Sequence, residues 1–139
     1  MAELPPEVRA LFEGANFVHL ATLNKDGSPS STAIWAGHEG DDIVFFTGVE
    51  SLKARNMERD PRVAISITDH DDPYHTAQLR GVVKEVRGVD EAHALADELA
   101  VRYTGEPFPF QPPTSRKYVV EVHKVRSTQL PFEHRPSAA

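Results

Sequence analysis

The sequence predicts a mostly β domain of the α+β class, built as a small β-barrel of about six antiparallel strands with helical connections. Short runs of β-branched and apolar residues recur along the chain, and turn residues separate most of them. Only two to three segments carry helical spacing or helix-terminating residues. The length of 139 residues suits one domain, taken as residues 1–139.

Composition narrows the class of protein. A net charge of −6 argues against nucleic acid as a partner, because binding to a phosphate backbone usually needs a basic face. The chain has no cysteine, which excludes disulfides, thiolate catalysis and zinc–cysteine sites. The opening MAELPPEVRALFEG lacks the apolar centre of a signal peptide, and no apolar run is long enough to cross a membrane. We therefore expect a cytoplasmic protein that binds no membrane.

The first half of the chain predicts one helix followed by a three-stranded meander. Residues 5–14, PPEVRALFEG, begin with prolines and end at a glycine, as short helices often do. The strands at 17–23 and 30–36 are joined by NKDGSP, whose Asp-Gly pair is a typical hairpin signal. The third strand, 42–47, follows the turn GHEGD.

The second half predicts two helices among long strands. A helix from Ser51 to Asp60 must end there, because the following proline disfavours helical geometry in its predecessor. Residues 89–105 have apolar residues at helical spacing and a terminal glycine. Gly81 interrupts a long strand and predicts a bulge or bend. The strands predicted here cover 62–68, 74–88 and 117–125, with a proline-rich loop at 106–115 before the last.

The first turn of the helix at 51–60 carries Lys53 and Arg55, where an acidic residue is the usual choice. A helix N-terminus carries roughly half a positive charge, so cations there are mildly unfavourable. Ser51 is a natural N-cap, and the free N–H groups of the first turn beside these cations form a plausible phosphate pocket. The alternative is a solvated face, in which the cations pair with nearby acids. The cations concerned are Lys53, Arg55, Arg59 and Arg62, and the acids are Glu50, Glu58 and Asp60.

Three further features each allow two interpretations. DHDDPYH (69–75) is either a cation site or a polar turn, and without recognisable ligand spacing we predict no metal. Trp35, the only tryptophan, either covers a ring cofactor or belongs to the core. PFPFQPP (107–113) is either a mobile aromatic lid or an extended connection packed on a partner subunit.

One block of the sequence resembles a known superfamily. FFTGVESLKARNMERDPRVAIS, preceded by ATLNKDGSPSSTAIWA and followed by AQLRGVV, resembles the pyridoxamine 5′-phosphate oxidase-like superfamily of FMN-binding split β-barrels. The stretch SLKARNMERDPRV is most similar to the B group of flavin/deazaflavin oxidoreductases, which use coenzyme F-420. The resemblance covers about 10–126, which implies a core there and a tail at 127–139.

The resemblance implies a cofactor site shared between the subunits of a homodimer. The phosphate of the cofactor would lie between the third strand and the following helix, and the ring system against the second strand. Gln78 and Arg80 would be contributed by the partner subunit. The implied phosphate-end residues are Thr47, Ser51, Lys53, Arg55 and Asn56, and the implied ring-contacting residues are Ser31, Thr32, Ala33, Ile34 and Trp35.

The expected activity is a coenzyme F-420-dependent hydride transfer to an electron-poor small organic substrate. Vitamin B6 oxidation is not expected, because Leu52 stands where typical pyridoxamine phosphate oxidases carry an arginine, and the tail QLPFEHRPSAA lacks their phosphate-gripping motif. The alternatives are an FMN-binding oxidase or reductase and a non-catalytic deazaflavin-binding protein. A side chain that supplies a proton is optional, and Tyr74, His75 and His19 are unranked candidates.

The charge pattern favours the deazaflavin over FMN. FMN ends in a compact phosphate with close to two charges, whereas the deazaflavin has a phosphodiester followed by a tail of carboxylates. Beyond Lys53 the cations spread outward to Arg55, Arg59 and Arg62, a distribution that suits an extended anionic tail.

Overall fold

The computed structural model describes residues 1–138, which form three helices and one seven-stranded sheet. All strand pairs are antiparallel, in the order β2-β1-β5-β6-β7-β4-β3. The helices are α1 (Pro6–Glu13), α2 (Leu52–Arg59) and α3 (Val89–Thr104). The strands are β1 (Val18–Leu23), β2 (Pro29–Ile34), β3 (Gly37–Glu39), β4 (Asp42–Gly48), β5 (Arg62–Thr68), β6 (His75–Arg87) and β7 (Ser115–Gln129). No helix among residues 1–138 combines the length and apolar character that a membrane span requires.

The predicted elements are present, with two corrections. The sheet has seven strands rather than about six, because Gly37–Glu39 pairs with β4 across a turn at Gly40, whose φ is 60°. The last strand ends at Gln129 rather than at residue 125, and so enters the predicted tail. It continues because β6 is long enough to pair with it as far as His75 opposite Gln129.

One hydrophobic core takes side chains from both ends of the sheet. Leu20 on β1 and Phe45 on β4 are fully buried in the same cluster, although three strands lie between β1 and β4 in the sheet order. In a flat sheet these two side chains would be far apart. The sheet therefore curls on itself. Helix α1 contacts both β3 and β5 and buries Val8, Leu11 and Phe12 in this core.

A second, smaller core lies under α3 on the opposite face of β4 and β7. Leu95 and Leu99 of the helix pack there on Val44 and Val119. Trp35, Phe46 and Tyr103 are half-buried against the same cluster. The helix ends at Gly105, whose φ of 86° is the left-handed conformation that glycine adopts most readily. Helix α3 thereby brings the loop that follows it close to the ends of β2 and β4.

A β-bulge occurs at Gly81, as the sequence predicts. The register between β6 and β7 shifts between Arg80, which pairs with Lys124, and Gly81, which pairs with Val122. A Cβ atom on Gly81 would lie 2.1 Å from the carbonyl oxygen of Glu121. Only glycine permits this approach of the two backbones.

Candidate functional site

The junction of β4 and α2 is held by a hydroxyl pair. Ser51 Oγ accepts a hydrogen bond from the backbone N–H of Ala54 at 3.2 Å, which makes Ser51 the N-cap that the sequence predicts. Thr47 Oγ1 donates to the same oxygen at 3.1 Å. Because Ser51 Oγ accepts both bonds, its own hydroxyl hydrogen is available to an outside acceptor. The first turn of α2 contains no acidic residue.

The four cations around α2 divide into two pairs. Arg62 binds Asp60 with two side-chain bonds of 2.7 and 3.0 Å, and these bonds lower the pKa of Asp60 to about 2. Arg59 donates to Leu23 O at 2.8 Å and to Asn56 Oδ1 at 2.7 Å. The side chains of Lys53 and Arg55 have no hydrogen bond or ion pair with residues 1–138. Arg62 thus follows the solvated-face interpretation. Of these four cations, Lys53 and Arg55 are the two without a partner among the described residues.

Asn56 lies on the inner side of α2 and is 1% exposed. Its amide nitrogen donates to Thr22 Oγ1 at 3.0 Å and to Asn24 Oδ1 at 2.9 Å. Both donors and the carbonyl oxygen are therefore used within the chain. Asn56 joins α2 to β1 and to the following hairpin, and the structure does not place it in a cavity.

Replacing Asn56 by alanine is expected to lower the free energy of unfolding by about 1–3 kcal/mol, because the buried Thr22 hydroxyl loses its partner. Urea denaturation measures this change. Arg55→Ala is the control, since that exposed side chain has no partner and its loss should cost less than about 0.5 kcal/mol. A stable Asn56→Ala protein with weakened cofactor binding would instead make Asn56 a cofactor ligand.

A cavity of about 410 Å³ opens beside the start of α2, and we refer to it as the Lys53 cavity. Thr47, Gly48 and Lys53 supply its polar part. Residues of β2 and its C-terminal end line another side, and α3 and the loop after it line a third. These other lining residues include Ala33, Ile34, Trp35, Phe46, His93 and Phe108. The volume lies within the range of small-molecule sites, and the lining combines an apolar wall with a few polar groups.

The apolar part of the Lys53 cavity is a connected set of aromatic rings. Trp35 stacks on Tyr103 with centroids 5.2 Å apart and an angle of 15°. Phe108 meets Trp35 edge-on at 6.3 Å and Phe46 edge-on at 5.3 Å. Trp35 therefore fits both of its interpretations, because it packs on the core under α3 and also lines the cavity. Burial raises the pKa of the Tyr103 phenol, whose hydroxyl donates to Asn16 O, so the ring stays neutral.

The loop at 106–113 is fixed to α3 of its own chain. The backbone N–H of Phe108 donates to Asp97 Oδ1 at 3.1 Å. His93 Nε2 lies 2.9 Å from Pro112 O, which requires the tautomer with a hydrogen on that nitrogen. Phe108 lies half-buried between these two anchors. The loop is thus bound to its own helix at two points.

A second cavity, of about 560 Å³, lies on the exposed sheet face of β1, β5, β6 and β7, and we refer to it as the sheet-face groove. Small residues such as Ala21 and Ala64 form part of its lining. Three cations line it: Arg80, Lys124 and Arg126, whose side chains have no hydrogen bond or ion pair with residues 1–138. The uncharged polar side chains of the lining are those of His19, Ser31, Ser66 and Gln78.

The predicted site residues accordingly fall into separate places. Five line the Lys53 cavity: Ala33, Ile34, Trp35, Thr47 and Lys53. Three line the sheet-face groove: Ser31, Gln78 and Arg80. Ser51 is bonded to Thr47 beside the first cavity. Thr32, Arg55 and Asn56 line neither.

The candidate proton donors lie away from the Lys53 cavity. Tyr74 packs its ring on Phe132, His75 lies 3.8 Å from Asp69 and His19 lines the sheet-face groove. His93 does line the cavity and was not predicted. The sequence offered one signal for it, since His93 and Ala96 are three residues apart and so share one side of a helix.

The segment at 69–75 is a hydrogen-bonded turn. Asp69 Oδ1 accepts from the backbone N–H groups of Asp71 and Asp72, and Asp72 Oδ1 accepts from that of Tyr74. Within residues 1–138, no group of three or more His, Asp or Glu side chains is arranged to hold a metal ion. The carboxylates of this segment bind backbone in the way that turn residues commonly do.

Comparison with known proteins agrees with the fold. The solved structure of an F420 reductase superposes with a TM-score of 0.79 at 29% identity, covering 88% of this chain and 98% of that one. A conserved hypothetical protein from Mycobacterium tuberculosis has the same TM-score at 23% identity, covering 99% and 95%. The second of these supports the fold alone. Together they identify the curled sheet as a split β-barrel, as the sequence predicts.

Sequence comparison identifies the family. A pyridoxine/pyridoxamine 5′-phosphate oxidase of Kineococcus radiotolerans is 34% identical over 79 residues, which is 56% of this chain. The chain spans 35% of the length of that relative. The sequence profile described as pyridoxamine 5′-phosphate oxidase matches residues 4–129, nearly the whole chain. The chain therefore belongs to the pyridoxamine 5′-phosphate oxidase family.

Proposed function

We propose that this protein is an oxidoreductase that binds the deazaflavin coenzyme F-420 and transfers hydride to an electron-poor small organic substrate. The observation that carries the proposal is the composition of the Lys53 cavity. It joins a lysine without a partner and a helix start to the apolar residues Ala33, Ile34 and Trp35 at the end of β2. A ligand with a phosphate at one end and a flat conjugated ring at the other matches both parts.

The phosphate end rests on three groups of the chain. Lys53 supplies a charge that residues 1–138 leave unpaired, and a charge-assisted hydrogen bond to phosphate is about twice as strong as a neutral one. The Ser51 hydroxyl hydrogen and the free N–H groups at the start of α2 supply neutral donors. A bound phosphate would offset both the charge of Lys53 and the positive end of the helix dipole.

The preference for the deazaflavin over FMN is supported by two facts. Leu52 leaves Lys53 as the one cation lining the cavity, which suits a phosphodiester with one charge better than a terminal phosphate with nearly two. The F420 reductase is similar along nearly its whole length. Beyond Lys53, Arg55 is the one cation of α2 that could contact the anionic tail of the deazaflavin, because Arg59 and Arg62 are bound within the chain.

We also propose that two copies form a homodimer with the cofactor between them. Gln78 and Arg80 line the sheet-face groove rather than the Lys53 cavity. In a dimer, these residues of one subunit would contact the cofactor that Lys53 of the other subunit binds. Three unpaired cations on this face would repel their own copies across a two-fold axis. An anionic cofactor between the subunits would offset that repulsion.

The protein's contribution to the reaction is binding, orientation and exclusion of water. When bound, a reduced deazaflavin supplies hydride from its ring carbon C5. The edge of β2 at residues 33–35 would support the ring, and the aromatic side chains would keep water from its exposed face. His93 Nε2 is engaged with Pro112 O, and solvent would protonate the product.

Equilibrium titration with F-420 and with FMN, each at low and high salt, tests the proposal. We expect F-420 to bind more tightly, and salt to weaken its binding through screening of the charged tail. Tighter FMN binding at both salts would make the protein an FMN-binding oxidase or reductase. Binding without oxidation of reduced F-420 by quinones or enones would make it a non-catalytic deazaflavin-binding protein.

Light scattering with and without cofactor tests the dimer, and a monomer that still binds the cofactor tightly would contradict a shared site.

A further inference from the structure

The loop at 106–113 places two phenylalanines, Phe108 and Phe110, on the Lys53 cavity. Phe108 makes edge-on contacts with three rings, at 6.3 Å to Trp35, 5.3 Å to Phe46 and 5.8 Å to Phe110. Phe110 is 67% exposed although it lines the cavity. Exposing a ring of this size to water is unfavourable unless something covers it. We call the rings of Phe46, Phe108 and Phe110 the aromatic wall.

The aromatic wall is held in place by the chain itself. Asp97 Oδ1 accepts the Phe108 N–H at 3.1 Å, and His93 Nε2 donates to Pro112 O at 2.9 Å. Both anchors stand on α3, which the second core fixes to the sheet. Two hydrogen bonds of the chain itself therefore hold the loop that carries Phe108 and Phe110 on the cavity.

The charge of the cavity limits what else can enter it. No acidic residue lines it, and its charged group is Lys53, which the proposed function assigns to the cofactor phosphate. A cationic ligand finds no counter-charge there, and an anionic one must compete with the cofactor. On the side of the loop, an uncharged ligand meets the apolar side chains of Phe108, Phe110 and Pro112.

We propose that the aromatic wall is the substrate side of the site, that it selects flat, uncharged, conjugated ring compounds, and that Phe108 is the residue that determines this specificity. This inference rests on the proposed function, because it places the substrate between the wall and a ring held along β2. Rings that meet Phe108 and Phe110 gain edge-on or offset contacts in addition to the buried apolar area. Asp97 is a positioning residue, since it acts through the backbone of Phe108.

Calorimetric titration of the cofactor-loaded protein with 1-naphthol and with naphthalene-1-sulfonate tests the wall without any turnover. We expect the neutral compound to bind more tightly than its anionic analogue. Phe108→Ala should weaken naphthol binding roughly threefold to tenfold, and Phe108→Leu, which keeps apolar volume, should recover only part of it. Phe132→Ala, which removes an exposed ring outside the cavity, is the matched control and should change nothing.

The positioning role of Asp97 has its own signature. Asp97→Ala should weaken naphthol binding because the loop is released, whereas Asp97→Asn keeps an acceptor for the Phe108 N–H and should restore binding. In turnover, Phe108→Ala should raise KM for a flat bicyclic quinone such as menadione more than for cyclohex-2-enone. Cofactor affinity should stay the same in all of these variants.

Two results would overturn the inference. Equal naphthol binding by the wild type and Phe108→Ala would remove the wall from substrate recognition. Loss of cofactor affinity in Phe108→Ala would assign the wall to the cofactor ring instead. If the wild type binds neither F-420 nor FMN, the proposed function fails, and naphthol titration of the unloaded protein still shows whether the wall binds flat neutral rings.

Discussion

Replacing Lys53 by alanine is expected to weaken cofactor binding by about 1.5–3 kcal/mol, roughly tenfold to a hundredfold or more. The loss is large because Lys53 is the one charged side chain that supplies the polar part of the cavity. Neighbouring groups cannot replace it, since Arg59 and Arg62 are engaged elsewhere and Arg55 does not line the cavity. Titration of the cofactor against each protein measures the change.

The fold of Lys53→Ala should be unchanged, because the side chain has no hydrogen bond or ion pair with residues 1–138. The matched control is Lys25→Ala, which removes an exposed lysine in the β1–β2 hairpin and changes the net charge by the same amount. Affinity should fall in the first variant only. Equal affinity in both variants would support the solvated-face interpretation of Lys53. The cavity would then have no charged side chain that binds phosphate.

Local chemistry explains why several features of this site could be predicted. Ser51 caps α2 because a serine at that position satisfies a free N–H of the first turn, and that preference depends on a few neighbouring residues. The Asp-Gly pair of the first hairpin and the glycine that ends α3 are of the same kind, with φ of 86° at both Gly27 and Gly105. Such features are decided within one turn of chain.

Contacts between distant segments explain what could not be predicted. Arg59 finds its acceptor at Leu23 O, which lies 36 residues away in sequence. Asn56 is occupied by Thr22 and Asn24 for the same reason. The spacing of cations along α2 therefore suggested a set of four available charges, whereas the fold leaves two without partners. Likewise, Phe46 and Phe108 meet only after α3 has packed on β4.

The short strand β3 shows the same limit at the level of secondary structure. Its three residues have no period that could be recognised alone, and they become a strand because β4 offers an edge beside them. The sequence predicts a turn at these residues, and the pairing with β4 makes them a strand instead. A sequence pattern of two or three residues is too short to indicate which of the two forms.

Replacing Gly81 by alanine is expected to lower the free energy of unfolding by about 3 kcal/mol, and the melting temperature by roughly 10 °C. The new methyl group would lie 2.1 Å from Glu121 O and 3.1 Å from Val122 Cα. Both are backbone atoms within a ladder, so relief requires β6 and β7 to separate. Gly88→Ala is the control, because nothing lies within 4 Å of a Cβ atom there and its loss should stay near 1 kcal/mol or less.

The same substitution should also disturb the sheet-face groove, because the bulge sets which side chains of β7 face it. Val122 points into the core, and Val125 packs against it. His123 is the extra residue at the bulge, so Lys124 and Arg126 turn to the open face with Arg80 instead of alternating inward. The cations would contact the anionic cofactor in the proposed homodimer. With cofactor present, a Gly81→Ala protein that is still folded at low temperature should therefore dimerise more weakly than Gly88→Ala at equal concentration, as measured by light scattering. Unchanged stability in Gly81→Ala would show that β7 shifts to accept the methyl group. Unchanged dimerisation would show that these cations do not belong to the subunit interface.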